Sequence, residues 1–312
     1  MVRGRSAIWL VNLFACPAIS WQIAGPASLA SDPGGSGTGL GTFQGYNYMY
    51  SKKKGRARSM PLETPARTRA PLATELDLPP LFSAVRLREV GDAFAHAISI
   101  AGEAGAGTLV YVGRFDLAEF ALVLEPEEPL RSARRAFYAG MTALAEALAA
   151  HAQPDTSIAI EWPDSLLVNQ GLVGGGRLAW PHDIAEDQTP EWLVFGGMIR
   201  TVSMSGLEPG LNPLVTALEE EGFTDVLSSQ LVESFARNFM RTVDAWQESG
   251  FGAVAKSYIE RLPREQGVRR DIDENGDLML RRMGKVDVAR RKLLPKLAQP
   301  AWFDPTTRGP RA

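Results

Sequence analysis

The residues best suited to chemistry stand close together between positions 161 and 177. A Trp-Pro-acid unit at Trp162–Asp164 leads into a short apolar run, and a turn separates this run from the triplet Gly174–Gly176. The pattern predicts a strand, a turn and a second strand whose backbone can come close to a ligand, because glycine has no side chain. Arg177 follows at once, and a guanidinium can hold a phosphate through two hydrogen bonds.

Each of these features also has a purely structural interpretation. The Trp-Pro pair could begin an edge strand with a core Trp, and the glycine triplet could form a bulge or a turn. Arg114, at a predicted strand end, could be a solvated charge, and His182 is expected in a loop. Asp271–Asp277 imitates the start of a calcium loop, but Arg282 stands where the twelfth position requires Glu, so calcium is rejected there.

Composition excludes several classes of site. The chain has 312 residues, of which 45% are hydrophobic and 22% charged, which is enough for a sizeable globular core. Cys16 is the single cysteine, so the sequence excludes internal disulfides, cysteine metal clusters and a thiol nucleophile in the globular part. The three histidines are far apart and show no metal-ligand spacing, so no metal site is predicted.

The charge is unevenly distributed. Residues 1–70 hold nine basic and two acidic residues, and since the whole chain carries −3, residues 71–312 carry −10. An acidic body argues against nucleic acid as the main partner.

The first 77 residues do not read as a folded domain. Arg3 and Arg5 precede an apolar run that ends near Trp21, which imitates a secretory signal, and glycine-rich, basic and proline-rich stretches follow. The segment could be a signal peptide, a basic disordered arm, or sequence upstream of a true start near Met60. The last interpretation is favoured, so no membrane segment and a cytoplasmic location are expected.

The elements that must position these residues alternate between helix and strand. Helices are predicted at Arg88–Ala104, Arg131–His151, Pro213–Glu221, Ser228–Glu248 and Phe251–Arg261. Strands are predicted at Thr108–Val112, Glu119–Leu124, Ser157–Ile160, Ser165–Val168, Val173–Trp180 and Trp192–Val202. The sum is an α+β fold: a mixed sheet of about five or six strands flanked by helices, with a small C-terminal β unit whose hairpin turns at Asn275-Gly276.

Three parts are expected: an N-terminal segment at 1–77, a catalytic domain at 78–262, and a small domain at 263–312 with an irregular, proline-rich tail.

This order of motifs resembles the catalytic domain of the biotin/lipoate A/B protein ligase family. The likeness covers about Leu78 to Arg282 and is closest to a divergent bacterial subgroup. Glu161–Ser165 corresponds to the family's Lys-Trp-Pro-Asn-Asp signature, and Phe195–Arg200 resembles the family's Gly-Ile-Gly-Ile-Asn strand. Val90–Ala93 stands where the family's first helix opens, and Tyr111–Phe115 stands where the family has its nucleotide loop.

The resemblance implies a reaction. A vitamin carboxylate, biotin or lipoate, attacks the α-phosphate of ATP to give an acyl-adenylate, and a lysine on an acceptor protein then takes the acyl group. Mg²⁺ accompanies the phosphates in such enzymes. The developing negative charge must be met by backbone amides and by Arg or Lys.

The resemblance also implies the site residues. Those expected to bind substrate or nucleotide are Asp92, Gly113, Arg114, Trp162, Pro163, Asp164, Gly174, Gly175, Gly176, Gly196 and Gly197. The family's lysine after the turn is replaced at or near Gly171, so Arg177 and Arg200 are the candidates for its catalytic role.

Two alternatives stay open. The chain could be a catalytically impaired module of the same fold that binds a ligand without adenylating it, which the missing lysine favours. It could also transfer an acyl group from a carrier protein without ATP, but the related octanoyltransferase pattern uses a cysteine that is missing here. No nucleic-acid or membrane partner is expected.

Overall fold

The structure is a computed structural model that describes residues 76–204 and 214–311. Cys16 and nearly all of the predicted N-terminal segment 1–77 lie outside the described residues. The strands are β1 (Ser83–Leu87), β2 (Thr108–Val112), β3 (Leu117–Leu124), β4 (Ile158–Glu161), β5 (Ser165–Val168), β6 (Gly171–Ala179), β7 (Leu193–Arg200), β8 (Val268–Ile272), β9 (Leu278–Arg282), β10 (Val288–Arg291), β11 (Phe303–Asp304) and β12 (Gly309–Pro310). The helices are α1 (Ala93–Ala104), α2 (Leu130–Ala133), α3 (Ala136–Ala149), α4 (Ser228–Ser249), α5 (Phe251–Glu260) and α6 (Leu294–Leu297).

The main sheet has seven strands in the order β1-β2-β3-β7-β6-β5-β4. β1 pairs with β2 in parallel, and the other neighbours are antiparallel. The mixed sheet flanked by helices, with small C-terminal strand units, confirms the predicted fold class. The sequence did not predict β1, which is short and mostly exposed at the sheet edge.

One face of the main sheet carries the large aromatic core. Phe120 and Phe195 point from β3 and β7 toward helices α3 and α4, where both rings contact Phe235. Gly140 lets α3 come close to the sheet, since a Cβ there would lie 2.3 Å from the Phe195 ring. This face is therefore filled by side chains, and its packing fixes the positions of β3, β6 and β7.

The opposite face, here called the α1 face, divides into two halves. Over one half, α1 packs its small residues Ala93, Ala97 and Ala101 on valines and alanines of β2, β3 and β7. Over the other half, Trp302 packs on Leu117 and Met198. Because side chains alternate along each strand, Glu119, Arg177 and Gly196 project to this same face.

Two C-terminal predictions have different outcomes. The hairpin at Asn275-Gly276 is confirmed by antiparallel β8 and β9, and Asp273 Oδ1 accepts hydrogen bonds from the N–H groups of Asn275 and Asp277. The irregular tail is more ordered than predicted: β11 and β12 pair with each other, and β12 lies against β6 and β7. Residues 299–311 are called the C-terminal segment below.

The predicted helix at 213–221 is wrong for its described residues, 214–221, which form a β-bridge at Val215 and turns at 218–221. Leu172 forms backbone hydrogen bonds with Leu214 and Thr216, so this stretch runs alongside the start of β6. Pairing with the sheet satisfies the backbone groups that a helix would have paired internally. No helix in the described part of the chain is both long and apolar enough to cross a membrane.

Candidate functional site

Arg177 lies at the centre of the α1 face. Its guanidinium carbon is 4.2 Å from the centre of the Phe94 ring and 4.5 Å from that of Phe303, so the cation is stacked between two aromatic rings. The Arg177 side chain is 13% exposed, and the Asp92 carboxylate stands 3.6 Å away. Burial lowers the pKa of Arg177, which Asp92 and Glu119 partly oppose. The result is a largely, but not fully, buried cation on the glycine-rich strand.

Two carboxylates hold the start of α1 beside this cation. Asp92 is the N-cap, and its Oδ1 accepts a hydrogen bond of 2.9 Å from the N–H of Ala95. Glu119 Oε1 accepts one of 2.9 Å from the N–H of Ala93. Burial raises the pKa of Glu119, although that hydrogen bond and Arg177 oppose the rise. These contacts explain why the helix begins at Ala93 and not at the predicted Arg88.

The C-terminal segment covers the other half of the α1 face. Trp302 is 1% exposed, and its Nε1–H donates a hydrogen bond of 3.0 Å to the carbonyl of Gly176. The N–H of Ala301 donates one of 2.9 Å to Asp164 Oδ2. Asp164 is buried, and burial raises its pKa to about 6 against the opposing effect of its hydrogen bonds. Asp164 thus connects the Trp-Pro motif to the chain end.

Arg200 holds the far end of this segment. Its Nη2 donates hydrogen bonds of 2.7 Å and 3.1 Å to the carbonyl oxygens of Pro310 and Arg311. Burial lowers the pKa of Arg200, which Glu220 partly opposes. The structure therefore places both predicted catalytic arginines on the α1 face and shows both in contact with the C-terminal segment.

The predicted glycines are divided between the two faces. On the α1 face, a Cβ on Gly175 would lie 2.5 Å from the Trp302 ring, and a Cβ on Gly196 would lie 2.4 Å from the Phe94 ring. On the opposite face, which packs against α3 and α4, Met141 and Phe120 occupy the equivalent space at Gly176 and Gly197. A Cβ on Gly174 would lie 1.9 Å from the carbonyl oxygen of Met198 on β7. Protein side chains and backbone thus occupy the space that these glycines leave open.

Trp162 and Pro163 face away from the α1 face. The Trp162 Nε1–H donates to the hydroxyl of Tyr138 at 3.3 Å, and the Tyr258 hydroxyl donates to the carbonyl of Pro163 at 2.7 Å. Tyr138 also donates to the carbonyl of Gly276 in the β8–β9 hairpin at 2.6 Å. These two motif residues join the sheet to α3 and α5, and Tyr138 in turn connects α3 to the small C-terminal sheet.

Gly113 and Arg114 occupy a short loop after β2. A Cβ on Gly113 would lie 2.7 Å from Nε of Arg86. Arg114 forms two hydrogen bonds with Asp116, at 2.8 Å and 2.5 Å, and its carbonyl accepts one from the Ser228 hydroxyl. The hydrogen bond to Asp116 raises the pKa of Arg114 and lowers that of Asp116. Arg114 therefore already has a bidentate carboxylate partner.

Sequence reasoning missed four residues that shape this face: Phe94, Glu119, Trp302 and Phe303. A carboxylate inside an otherwise apolar strand was a usable signal for Glu119, since burying an acid needs a partner. Trp302 lies in a stretch without helical or strand periodicity, so only the folded arrangement brings it to Gly175. Within residues 76–204 and 214–311, no group of three or more His, Cys, Asp or Glu side chains is placed to hold a metal ion.

Comparison with known proteins places the sequence and the fold in one family. A biotin–[acetyl-CoA-carboxylase] ligase of Paracoccus denitrificans is 25% identical over 173 residues, covering 51% of this chain and 72% of that protein. A biotin protein ligase-like protein of unknown function from Silicibacter sp. TM1040 superimposes with a TM-score of 0.61 at 26% identity, covering 71% of this chain and 98% of its own.

The apo structure of biotin protein ligase from Aquifex aeolicus superimposes with a TM-score of 0.52 at 14% identity, covering 67% of this chain and 96% of that one, and at this identity shows the shared fold alone. The sequence model of the biotin/lipoate A/B protein ligase family matches residues 78–260. Since that match spans more than half of the chain, the protein belongs to the biotin/lipoate A/B protein ligase family.

Proposed function

We propose that this protein is a biotin-type protein ligase. The carboxylate oxygen of biotin attacks the α-phosphorus of ATP and pyrophosphate leaves. The amine of an acceptor-protein lysine then attacks the acyl carbon of the adenylate, and AMP leaves. Family membership supports this proposal, as does the activity named for the Paracoccus relative. The use of ATP and of a carrier-protein lysine implies a cytoplasmic location.

The observation that carries the proposal is the fixed position of the Arg177 guanidinium and its hydrogen-bond donors, which are free within the described part of the chain. Negative charge from a carboxylate and a phosphate must meet a fixed cation during this reaction. Among the described residues, none accepts a hydrogen bond from the Arg177 guanidinium, and Asp92 stays at 3.6 Å. The planar group is held in place by Phe94 and Phe303 while its N–H donors keep their capacity for a bidentate contact. Arg177 is therefore our candidate for the role of the family's lysine.

Binding of ATP and Mg²⁺ would require further residues of the chain. Arg200 is a second cation on the same face, and Gly113 and Arg114 remain predicted nucleotide ligands, although Arg114 would have to share its donors with Asp116. Since the described residues offer no metal cluster of their own, we expect Mg²⁺ to be held mainly by the phosphates. When bound, Mg²⁺ would offset phosphate charge.

The proposal is tested by pyrophosphate release with biotin, lipoate or octanoate. We expect release that depends on ATP and biotin, and loss of that release in Arg177→Ala. Arg237→Ala, which removes an arginine paired with Asp77 and Glu233 on the protein surface, is the matched control and should keep the wild-type rate. Release with lipoate alone would identify lipoate as the substrate in place of biotin. Release with none of the three acids would reject the ligase proposal.

A second candidate is a module that binds the acid without adenylating it. A Cβ on Gly171 would lie 2.6 Å from Cγ2 of Thr216, so Thr216 fills the space in which the family's lysine would begin. Calorimetry separates the two candidates: biotin binding without pyrophosphate release identifies the binding module.

A further inference from the structure

The ring of Trp302 occupies a defined slot on the α1 face. The indole packs on Leu117 and Met198, closes over Gly175, and uses its N–H to satisfy the carbonyl of Gly176. The slot therefore holds a flat bicyclic ring with an N–H donor at one edge. Phe303, the next residue, covers the guanidinium of Arg177. A ring site and a cation site lie side by side, and consecutive residues of one segment cover both.

The C-terminal segment is held in place by few bonds. One is the Ala301–Asp164 hydrogen bond at its start, and another joins the N–H of Arg311 to the carbonyl of Trp302 at 2.8 Å. Arg200 adds its two contacts at the end, while the middle of the segment, residues 305–308, is exposed. Only Trp302 and Pro310 of this segment are buried, and segments with so few buried residues open at a lower free-energy cost than the core.

We propose that Trp302 is an internal occupant of the acid's ring slot, and that the C-terminal segment is displaced by an acid whose ring carries an N–H donor. This inference rests on the proposed function, because it assumes that the acid binds to the α1 face at Arg177. Departure of the segment would uncover the slot and one face of Arg177 together. The ring of a single molecule could then replace the indole of Trp302, while its carboxylate reaches the N–H edge of Arg177.

The carbonyl of Gly176 makes the slot selective. A ligand that replaces the indole without offering a donor leaves this oxygen unpaired, which weakens binding on the order of ten- to a hundredfold. The cyclic urea of biotin offers N–H donors. The dithiolane of lipoate and the alkyl chain of octanoate offer none.

The test measures segment release and acid binding on the same full-length protein. Hydrogen exchange of residues 301–311 is followed with and without biotin, and calorimetry measures biotin, lipoate and octanoate. Trp302→Ala empties the slot. Arg311→Pro removes the Arg311 side chain and the N–H that closes the segment on Trp302, so it loosens the segment even if Trp302→Ala fails to fold. Arg311→Ala loses the same side chain but keeps the N–H, and is the matched control.

We expect biotin to raise exchange across 301–311 in the wild type. Arg311→Pro and Trp302→Ala should bind biotin about tenfold more tightly, because closure no longer competes with the ligand, whereas Arg311→Ala should behave as the wild type. Lipoate and octanoate should bind the opened variants at least tenfold more weakly than biotin.

Other results would overturn the inference in distinct ways. Biotin binding with 301–311 still protected rejects displacement and leaves the ligase proposal intact. Equal affinity for the three acids in Arg311→Pro rejects the role of the Gly176 carbonyl. If no acid binds a variant whose segment exchanges freely, the acid site itself is wrong and both proposals fall. Displacement by biotin without pyrophosphate release supports this inference and rejects the ligase.

Discussion

Asp164 and Ala301, 137 residues apart in the chain, are joined by a hydrogen bond of 2.9 Å from the Ala301 N–H to the Asp164 carboxylate. The acid of the Trp-Pro-acid motif is thus an anchor for the C-terminal segment. Because Asp164 is buried, its ionised form is disfavoured and its pKa rises to about 6.

This buried acid makes stability depend on pH. The pKa of Asp164 is about 6 in the folded protein and 3.8 for an ordinary carboxyl, so between these values the folded state binds more protons than the unfolded state. The free energy of unfolding should therefore fall as pH rises from 4 to 6, with Asp164 contributing about 2 kcal/mol over that interval.

Asp164→Asn should flatten that slope and raise stability at pH 7, since its amide oxygen can still accept from Ala301. Urea unfolding at pH 4.5 and 7.5 measures the difference. Glu161→Gln, which removes an exposed neighbouring carboxylate, is the control. An Asp164→Asn protein with the wild-type slope would show that another group causes it.

The stacking of Arg177 predicts that charge alone does not replace it. Lysine at this position keeps the positive charge but cannot lie flat on the Phe94 ring or form a fork of two donors. We expect Arg177→Lys to lower kcat/KM for biotin-dependent pyrophosphate release by about 100-fold, and Arg177→Ala to lower it further. Wild-type kinetics in Arg177→Lys would mean that only the charge matters.

Gly175 should tolerate no side chain. A Cβ would lie 2.0 Å from the carbonyl oxygen of Asp164 and 2.5 Å from the Trp302 ring, so Gly175→Ala should lower the free energy of unfolding by about 3 kcal/mol. Gly102 in α1 has nothing within 4 Å of a Cβ, and Gly102→Ala should raise it by about 0.5–1 kcal/mol. Urea midpoints of the two variants should therefore move in opposite directions, and a shared direction would contradict the packing described for Gly175.

Arg200 should protect the C-terminal segment from proteolysis. Arg200→Gln loses the two hydrogen bonds to Pro310 and Arg311, worth about 1 kcal/mol each, so trypsin should cut after Arg308 at least about tenfold faster. Mass spectrometry of the fragments gives the rate. Arg237→Gln, which lies outside this contact, should be cut by trypsin at the wild-type rate. Equal cleavage rates in both variants would show that Arg200 does not anchor the segment.

The fold was largely predictable because its long elements have clear periods. Glu119–Leu124 and Ser228–Glu248 agree with β3 and α4 within a few residues. The failures are segments whose structure depends on partners: β1 forms by pairing with β2, and residues 214–216 pair with Leu172 of β6 where a helix was predicted. The secondary-structure propensity of a short segment does not encode such pairing with a distant segment.

The site was predictable only in part for the same reason. Arg177 and Arg200 are the basic residues that stand close enough in sequence to take the place of the family's lysine, and the structure brings both to one face. That Trp162 turns to the helices while Asp164 reaches the C-terminal segment follows from the turn that residues 162–164 form between β4 and β5, and from contacts with residues 138 and 301. Nothing in the sequence near Gly175 points to Trp302, because 127 positions separate them.

The close fit of Gly196 and Phe94 has an evolutionary consequence. A Cβ at position 196 and a phenyl ring at position 94 cannot share the same space, since they would approach to 2.4 Å. Homologous chains with a larger residue at the first position are therefore expected to carry a smaller one at the second. Substitutions at the two positions should be correlated across the family, and a protein with both large residues would need a shifted first helix.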